Sequence, residues 1–192
     1  MRCRTNCTFR LTGLKTLHDY LAPDLRLLSI GLNPSLPSVA AGFYFANPRN
    51  RFWKALNASR LLSAPVEPGR SAMQYLFEHE AIGFTDLVKR PTRGAVDLRA
   101  ADYRAGTSLL QRVLEKHQPG CAWFHGKLAF KEFSRRAGLD LDKDVWGLQS
   151  VHLGATRIFV TPNPSPANAA FSLDDLVAWY NALADYMAVH QG

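Results

Sequence analysis

The chain has 192 residues, of which 47% are hydrophobic and 20% charged, a balance that suits a folded domain and excludes a disordered polyelectrolyte. No apolar stretch reaches the length of a membrane span, and no apolar leader follows the N-terminal arginines, so we predict no membrane association. The net charge is +7, and the whole excess lies in residues 1–60, which hold nine Lys or Arg against two Asp or Glu. This one-sided charge favours a polyanionic partner, although charge alone fits a generally basic surface equally well.

The predicted elements alternate between strands and helices after a basic segment without periodicity, residues 1–16, which we expect to be a flexible arm. In chain order, the patterns predict a strand over 25–32, a helix over 50–62 capped by Asn50, a helix over 71–80, a strand over 82–88, a helix over 102–117, a strand over 120–125, a helix over 126–136, a strand over 157–161 and a helix capped by Ser172. Residues 138–154 fit neither pattern. The alternation predicts one α/β domain over 1–192, a three-layer α/β/α sandwich with a central, mainly parallel sheet of four to five strands.

Cysteine and histidine are too sparse to indicate a metal or disulfide framework. Cys3 and Cys7 lie in the polar N-terminal segment, and Cys121 lies in a predicted buried strand. An odd number at this spacing fits neither a disulfide framework nor a four-cysteine cluster site. His125 and His152 are isolated in sequence, as strand-end or surface histidines are. We therefore predict no cofactor or metal, and a reducing, cytoplasmic location.

Polar and aromatic residues follow the first predicted strand. Its apolar run ends at Gly31, and Asn33 and Pro34 come next. In an open α/β sheet, residues just past the C-terminal end of a strand face the ligand crevice. Three aromatics, residues 43–45, follow Gly42, and basic residues come after them. Aromatic faces beside positive charge are suited to stacking a base while holding a nucleic-acid backbone.

Three separated blocks carry a family resemblance. They are Gly31-Leu32-Asn33-Pro34 with the segment 42–53, then residues 88–92, then residues 161–165. In this order and spacing they resemble the mismatch-specific uracil-DNA glycosylases, the Mug and thymine-DNA glycosylase branch of the uracil-DNA glycosylase superfamily, along nearly the whole chain from Leu21. The resemblance implies a monomeric, nucleoid-associated bacterial-type enzyme. Such an enzyme flips uracil, or another damaged or mismatched pyrimidine, out of DNA and hydrolyses its N-glycosidic bond, which begins base excision repair.

The resemblance also implies roles for individual residues. Asn33 corresponds to the residue that positions the attacking water, since an amide orients water without taking its proton. Phe45 corresponds to the residue that stacks the extruded base, and Ser38 to a pocket serine. Backbone amides near Leu32 and Phe45 would read the base edge, so the range of bases is expected to be broad. Without the motif, a strand-end cap, a core phenylalanine and an exposed loop serine would fit these three side chains.

Asp86 is a second catalytic candidate. It is the only carboxylate in the apolar run 82–88, near the end of the second predicted strand. Because Asn33 leaves the water without a base, a nearby carboxylate could take the proton or stabilise the cationic sugar. A structural role, as an ion pair with Lys89 or Arg90 or as a cap on the next turn, is an equally good interpretation of Asp86.

A loop near the C-terminus resembles the family's wedge, which enters the duplex. Asn163-Pro164-Ser165 fits the family pattern, but Pro166 and Ala167 replace a glycine and a larger apolar residue. We therefore expect weak recognition of the opposite guanine, with single-stranded DNA also accepted. The basic residues expected to contact phosphates are Arg49, Arg51, Lys89 and Arg90.

Two other function classes fit parts of the pattern. One is a protein that binds mismatched or damaged DNA without catalysis, and a weaker one is a small-molecule hydrolase on the same sheet. Lys89 is the only lysine near the expected crevice in the matched active-site blocks. Schiff-base lyase chemistry is therefore not expected, and the resemblance favours a monofunctional glycosylase.

Overall fold

The computed structural model describes residues 15–139 and 145–190. Over these residues the strands are β1 (Leu27–Gly31), β2 (Ile82–Asp86), β3 (Cys121–His125), β4 (Gly147–Leu153) and β5 (Thr156–Thr161). The helices are α1 (Leu36–Ala41), α2 (Phe52–Ala58), α3 (Arg70–Glu78), α4 (Ala100–His117), α5 (Lys127–Ala137) and α6 (Leu173–His190). A single 3₁₀ turn, Ala95–Asp97, lies between β2 and α4.

The strands form one sheet in the order β2-β1-β3-β5-β4. The first four are parallel, and β4 pairs antiparallel with β5 at the edge. Strands β1, β2 and β3 are buried at every position, as expected when helices cover both faces of a parallel sheet. The predicted α/β fold with a mainly parallel sheet is therefore confirmed.

The register brings the C-terminal ends of four strands to one edge of the sheet. Gly31 pairs with Asp86, and His125 pairs with Thr161. Loops that follow β1, β2, β3 and β5 therefore meet above this edge, the position at which open α/β sheets bind ligands.

Large aromatic side chains form the core beneath this edge. Trp123 of β3 contacts Tyr180 of α6 edge-on, with ring centroids 4.7 Å apart, and Phe52 of α2 lies beside both. All three are fully buried. The base of the crevice is therefore a rigid, close-packed layer.

The structure differs from the predicted elements in several places. Helix α1 was not predicted, because six residues are too few to show helical periodicity. It is capped by Ser35, whose Oγ accepts from the N–H of Ser38, and it ends at Gly42, where φ is +79°. Helix α2 ends at Ala58 rather than residue 62, and its N-cap is Arg51 rather than the predicted Asn50, whose Oδ1 accepts from the N–H of Phe52 at 2.9 Å. The unassigned segment 138–154 contains edge strand β4.

Two predictions concern residues that the structure does not fully describe. Most of the N-terminal arm, with Cys3 and Cys7, lies outside the described residues. At its end, the Oγ1 of Thr16 donates to the carbonyl of Lys89 at 2.7 Å. Among the described residues, no helix combines the length and apolar character that crossing a membrane requires.

Candidate active site

A pocket of about 430 Å³ opens at the C-terminal edge of the parallel strands. The loops after β1, β2 and β5 line it together with His125, the last residue of β3, so it lies where the strand ends predict. Among the predicted site residues it brings together Leu32, Asn33, Ser38, Phe45, Asp86, Asn163, Ser165 and Ala167. Its volume suits a single small ring system.

Asn33 is held in one amide orientation. Its Nδ2 donates to the Oγ1 of Thr92 at 2.8 Å and to the carbonyls of Pro34 and Arg90, both at 3.2 Å. Thr92 uses its own hydroxyl proton on the carbonyl of Gly94, so its oxygen must accept from Asn33. Three acceptors around Nδ2 fix the amide and leave Oδ1 to accept a hydrogen bond. The side chain therefore caps local backbone through one end and can orient water through the other.

Asp86 is buried at the end of β2 and lines the same pocket. It is 4% exposed, and its Oδ2 has no hydrogen-bond partner among the described residues. Burial raises the pKa of this carboxyl from 3.8 to about 7, against the opposing effect of Lys89. The carboxyl therefore exchanges a proton near neutral pH, as a general base requires.

The alternative in which Asp86 simply pairs with a neighbouring cation is not observed. The ammonium of Lys89 lies 2.6 Å from Asp19 and also donates to Thr85. Arg90 pairs with Asp102 at 2.7 Å. Both candidate cations are thus held by other groups.

Phe45 presents one ring face to the pocket side of the core. Its other face stacks on Phe52, with centroids 3.9 Å apart and planes 17° apart. Its backbone φ is +58°, a strained value for a residue with a Cβ. The half-buried ring therefore lies on a rigid platform, and the interpretation of Phe45 as only a core residue does not fit.

Ser38 is buried in α1, not exposed in a loop as the alternative interpretation had it. Its Oγ accepts from the hydroxyl of Ser35 at 2.9 Å and from the N–H of Ala46 at 3.2 Å. These bonds tie the loop that carries Phe45 to α1. With both acceptor positions used, the hydroxyl proton of Ser38 is available to a pocket ligand.

His125 is a pocket residue that the sequence interpretation set aside. It lies at the end of β3, is 2% exposed, and has its Nε2 2.8 Å from the Oγ of Ser29. Its ring meets Phe45 edge-on at 5.1 Å. Burial lowers its pKa to about 3, so the imidazole is neutral and adds no charge to the pocket. The strand-end rule that singled out Asn33 would also have found His125.

Arg51 holds the predicted wedge loop through hydrogen bonds to its backbone carbonyls. Its guanidinium donates to the carbonyls of Ser165 at 2.9 Å, Asn168 at 2.7 Å and Phe171, and its N–H donates to the carbonyl of Pro164 at 3.1 Å. Because these donors are used on the protein's own backbone, the predicted phosphate contact of Arg51 would require its guanidinium to leave the loop.

Of the other basic residues predicted to contact phosphate, two have partners within the protein and one is exposed. Lys89 is 10% exposed and ion-paired, and Arg90 is held by Asp102 and by the carbonyl of Asp97. A phosphate would have to compete with these partners for either side chain, and both contacts stay predictions. Arg49 is exposed and remains a candidate. Sequence alone shows a positive charge but not the group that it faces.

The described residues include no cluster of three or more His, Cys, Asp or Glu side chains that could hold a metal ion. The pocket's polar groups include an amide, a carboxyl, a hydroxyl and a neutral imidazole beside an aromatic face, and Arg93 adds a guanidinium. That set suits a flat, hydrogen-bonding ring and an attacking water.

Comparison with known proteins identifies the family. The family model of the Uracil DNA glycosylase superfamily matches residues 18–184. The fold is similar to the solution NMR structure of a Methanosarcina acetivorans protein that is provisionally named a uracil DNA glycosylase. The TM-score is 0.56 at 19% identity, over 91% of this chain and 98% of that one. The chain therefore belongs to the uracil DNA glycosylase superfamily, a family of DNA glycosylases whose partner is DNA.

Proposed function

We propose that the protein is a monofunctional glycosylase of the mismatch-specific branch that hydrolyses the N-glycosidic bond of uracil in DNA. Other damaged or mismatched pyrimidines would follow the same route. The observation that carries the proposal is that Asn33, Asp86 and Phe45 line one pocket. The water-positioning amide, the proton acceptor and the base platform would thus come from the loop after β1, the end of β2 and the loop after α1, all at one sheet edge.

The base would enter the pocket only after leaving the duplex, since its glycosidic bond cannot be reached within the stack. The free face of Phe45 would stack the pyrimidine, supported from behind by Phe52. The hydroxyl of Ser38 would donate to the base edge. Few side-chain contacts define that edge, which supports a broad range of pyrimidines.

Asn33 and Asp86 would divide the chemistry of hydrolysis. The Oδ1 of Asn33 accepts one hydrogen of the water and directs its oxygen to C1′ of the sugar. The C1′–O bond forms as the C1′–N bond breaks, the electron pair leaves with the base, and the water proton passes to the Asp86 carboxylate. Before that transfer, the same carboxylate stabilises the positive charge that develops on the sugar.

The position of Lys89 supports hydrolysis without strand cleavage. An amine must reach C1′ to attack it. The Lys89 ammonium is held by Asp19 at 2.6 Å and by the Oγ1 of Thr85, and Lys89 does not line the pocket. We therefore propose that water, and not lysine, is the nucleophile.

The test is single-turnover base release from a duplex that carries one uracil, with thymine at the same position as the control. We expect uracil release, an abasic product, and strand breakage only after alkali. Tight binding to mismatched DNA without base release at high enzyme excess would instead support a damage-binding protein without catalysis. Breakage without alkali would contradict the monofunctional assignment.

A further inference from the structure

Val96 is the most exposed large hydrophobic residue in the described part of the chain, at 95%. It lies in the 3₁₀ turn between β2 and α4, directly after Ala95, which lines the pocket. A single exposed valine is ordinary on a protein surface. Val96 differs from such a residue in three respects: hydrogen bonds fix its turn, it lies at the pocket mouth, and arginines flank it.

The turn that carries Val96 is rigidly held. The carbonyl of Asp97 accepts from Arg90 at 2.5 Å, and the N–H of Asp97 donates to the carbonyl of Gly94 at 3.2 Å. Thr92 donates to the same Gly94 carbonyl at 2.8 Å. The side chain of Val96 is therefore exposed on a backbone that is already ordered. Little conformational entropy would be lost when it inserts into a binding partner.

Val96 and the wedge loop lie on opposite sides of the pocket mouth. Ala95 lines it from the loop after β2, and Ala167 lines it from the loop after β5. Those strands are three positions apart in the sheet, which places their ends about 14 Å apart. In the loop after β5, up to residue 171, the exposed residues are Pro166, Ala167, Ala169 and Ala170, and such small side chains fill little of the gap that an extruded nucleotide leaves.

Positive charge flanks the valine. Arg93 is exposed and makes no ion pair or hydrogen bond through its side chain among the described residues, and Arg99 is exposed on the other side of the turn. The nearby carboxylate of Asp97 is turned back onto the N–H of Gly94 at 3.3 Å. An apolar tip between cations matches the side chains that other proteins insert between base steps while holding the backbone.

We propose that Val96 is a second wedge, which enters the duplex from the β2–α4 loop and stacks in the space left by the flipped nucleotide. This inference rests on the proposed function, because it assumes that DNA docks over the pocket. It assigns to Val96 the contact area that Ala167 is too small to supply.

The test uses a duplex with a tetrahydrofuran abasic analogue and 2-aminopurine at the neighbouring position, so that no chemistry is required. We expect the wild-type protein to change the 2-aminopurine fluorescence on binding. Val96→Ala should weaken duplex binding up to about tenfold, the effect of leaving two methyl groups in water, and should reduce the fluorescence change. Val96→Leu should retain both.

Val189→Ala is the matched control. Val189 is 76% exposed near the end of α6, about 24 Å along the helix from its first residue. This variant should match the wild type. If Val96→Ala also matches the wild type, or if the bound wild type leaves the fluorescence unchanged, the wedge assignment is wrong. If the wild type releases no uracil but its fluorescence response depends on Val96, the proposed chemistry fails and the wedge stands.

Discussion

The carboxyl of Asp86 occupies the space that a side chain on Gly31 would need. A Cβ at Gly31 would come within 2.2 Å of the Asp86 Oδ1. The two residues pair in register on adjacent parallel strands. Because Gly31 has no side chain, the carboxyl can lie against the end of β1, close to the loop that carries Asn33. The close approach of the Asp86 carboxyl thus explains why position 31 is a glycine.

Replacing Asp86 should change how stability depends on pH. Its pKa is about 7 when folded, against 3.8 for the free side chain. Below pH 4 the Asp86 carboxyl is protonated in both the folded and the unfolded chain. Between about pH 4 and 7 only the unfolded chain ionises, so burial costs increasing stability, up to about 4 kcal/mol above pH 7. Asp86→Asn removes this cost, so its Tm should rise relative to the wild type between pH 4 and 7 and then level off.

Asp175 provides the opposite case as a control. It accepts from the N–H and hydroxyl of Ser172 at the start of α6, which lowers its pKa. Asp175→Asn should therefore lose stability relative to the wild type above the ordinary aspartate pKa. A Tm difference for Asp86→Asn that does not change with pH would show that Asp86 is ionised in the folded protein.

Asn33→Ala and Asp86→Ala should separate water positioning from proton transfer. Asp86→Ala should slow single-turnover excision by about a hundredfold or more, the usual contribution of a general base. It should also remove the rise in rate through pH 7 that ionisation of Asp86 gives the wild type. Asn33→Ala should be slow but keep that pH dependence. If Asp86→Ala keeps wild-type rates at every pH while Asn33→Ala is slow, Asp86 is structural.

Residues placed by strand ends were predictable from sequence. Asn33 and Asp86 follow apolar runs of strand length, and parallel strands bring such ends together. The partners of the charged side chains were not predictable. Arg51 and Lys89 appear as positive charge in the sequence, but their partners are distant in the chain, the carbonyls of the 164–171 loop and Asp19. Only the folded chain shows that these cations hold loops in place.

Phe45→Ala should weaken binding of the base by about 1–3 kcal/mol, the range for stacking on an aromatic platform. The fold should survive, since the ring is partly exposed and lies at the pocket. Inhibition by free uracil measures the binding, and thermal melting measures the fold. Phe43→Ala removes a neighbouring ring that contacts Trp53 edge-on and does not line the pocket, so uracil binding should be unchanged. A large loss of Tm in Phe45→Ala would assign its ring to the core.

Arg51 and Arg49 should differ in the salt dependence of DNA binding. Arg51→Ala removes donors from the carbonyls of Ser165 and Asn168, so duplex excision should fall without a change in the slope of log K against log salt. Arg49→Ala removes an exposed cation, so that slope should decrease by about 1. An equal loss of slope in Arg51→Ala would mean that its guanidinium leaves the loop to bind phosphate.

The backbone of the wedge loop has few hydrogen-bond donors left for DNA. The N–H of Ser165 donates to Asn163 at 2.9 Å, and the N–H groups of Ala167 and Asn168 donate to Ser165 at 3.3 and 3.0 Å. Pro164 and Pro166 have no N–H. Every backbone donor from 164 to 168 is therefore either used within the loop or missing.

This loop should discriminate poorly between bases opposite the uracil. The O6 acceptor of an orphaned guanine can be read only by a free donor, so we expect single-turnover rates for uracil opposite each base to differ by less than about tenfold, the cost of one neutral hydrogen bond. Single-stranded uracil DNA should also be a substrate. Pro166→Ala restores one N–H at the exposed tip and should increase the preference for guanine. A strong wild-type preference for guanine, with no activity on single strands, would show that a segment other than the 163–168 loop contacts the opposite base.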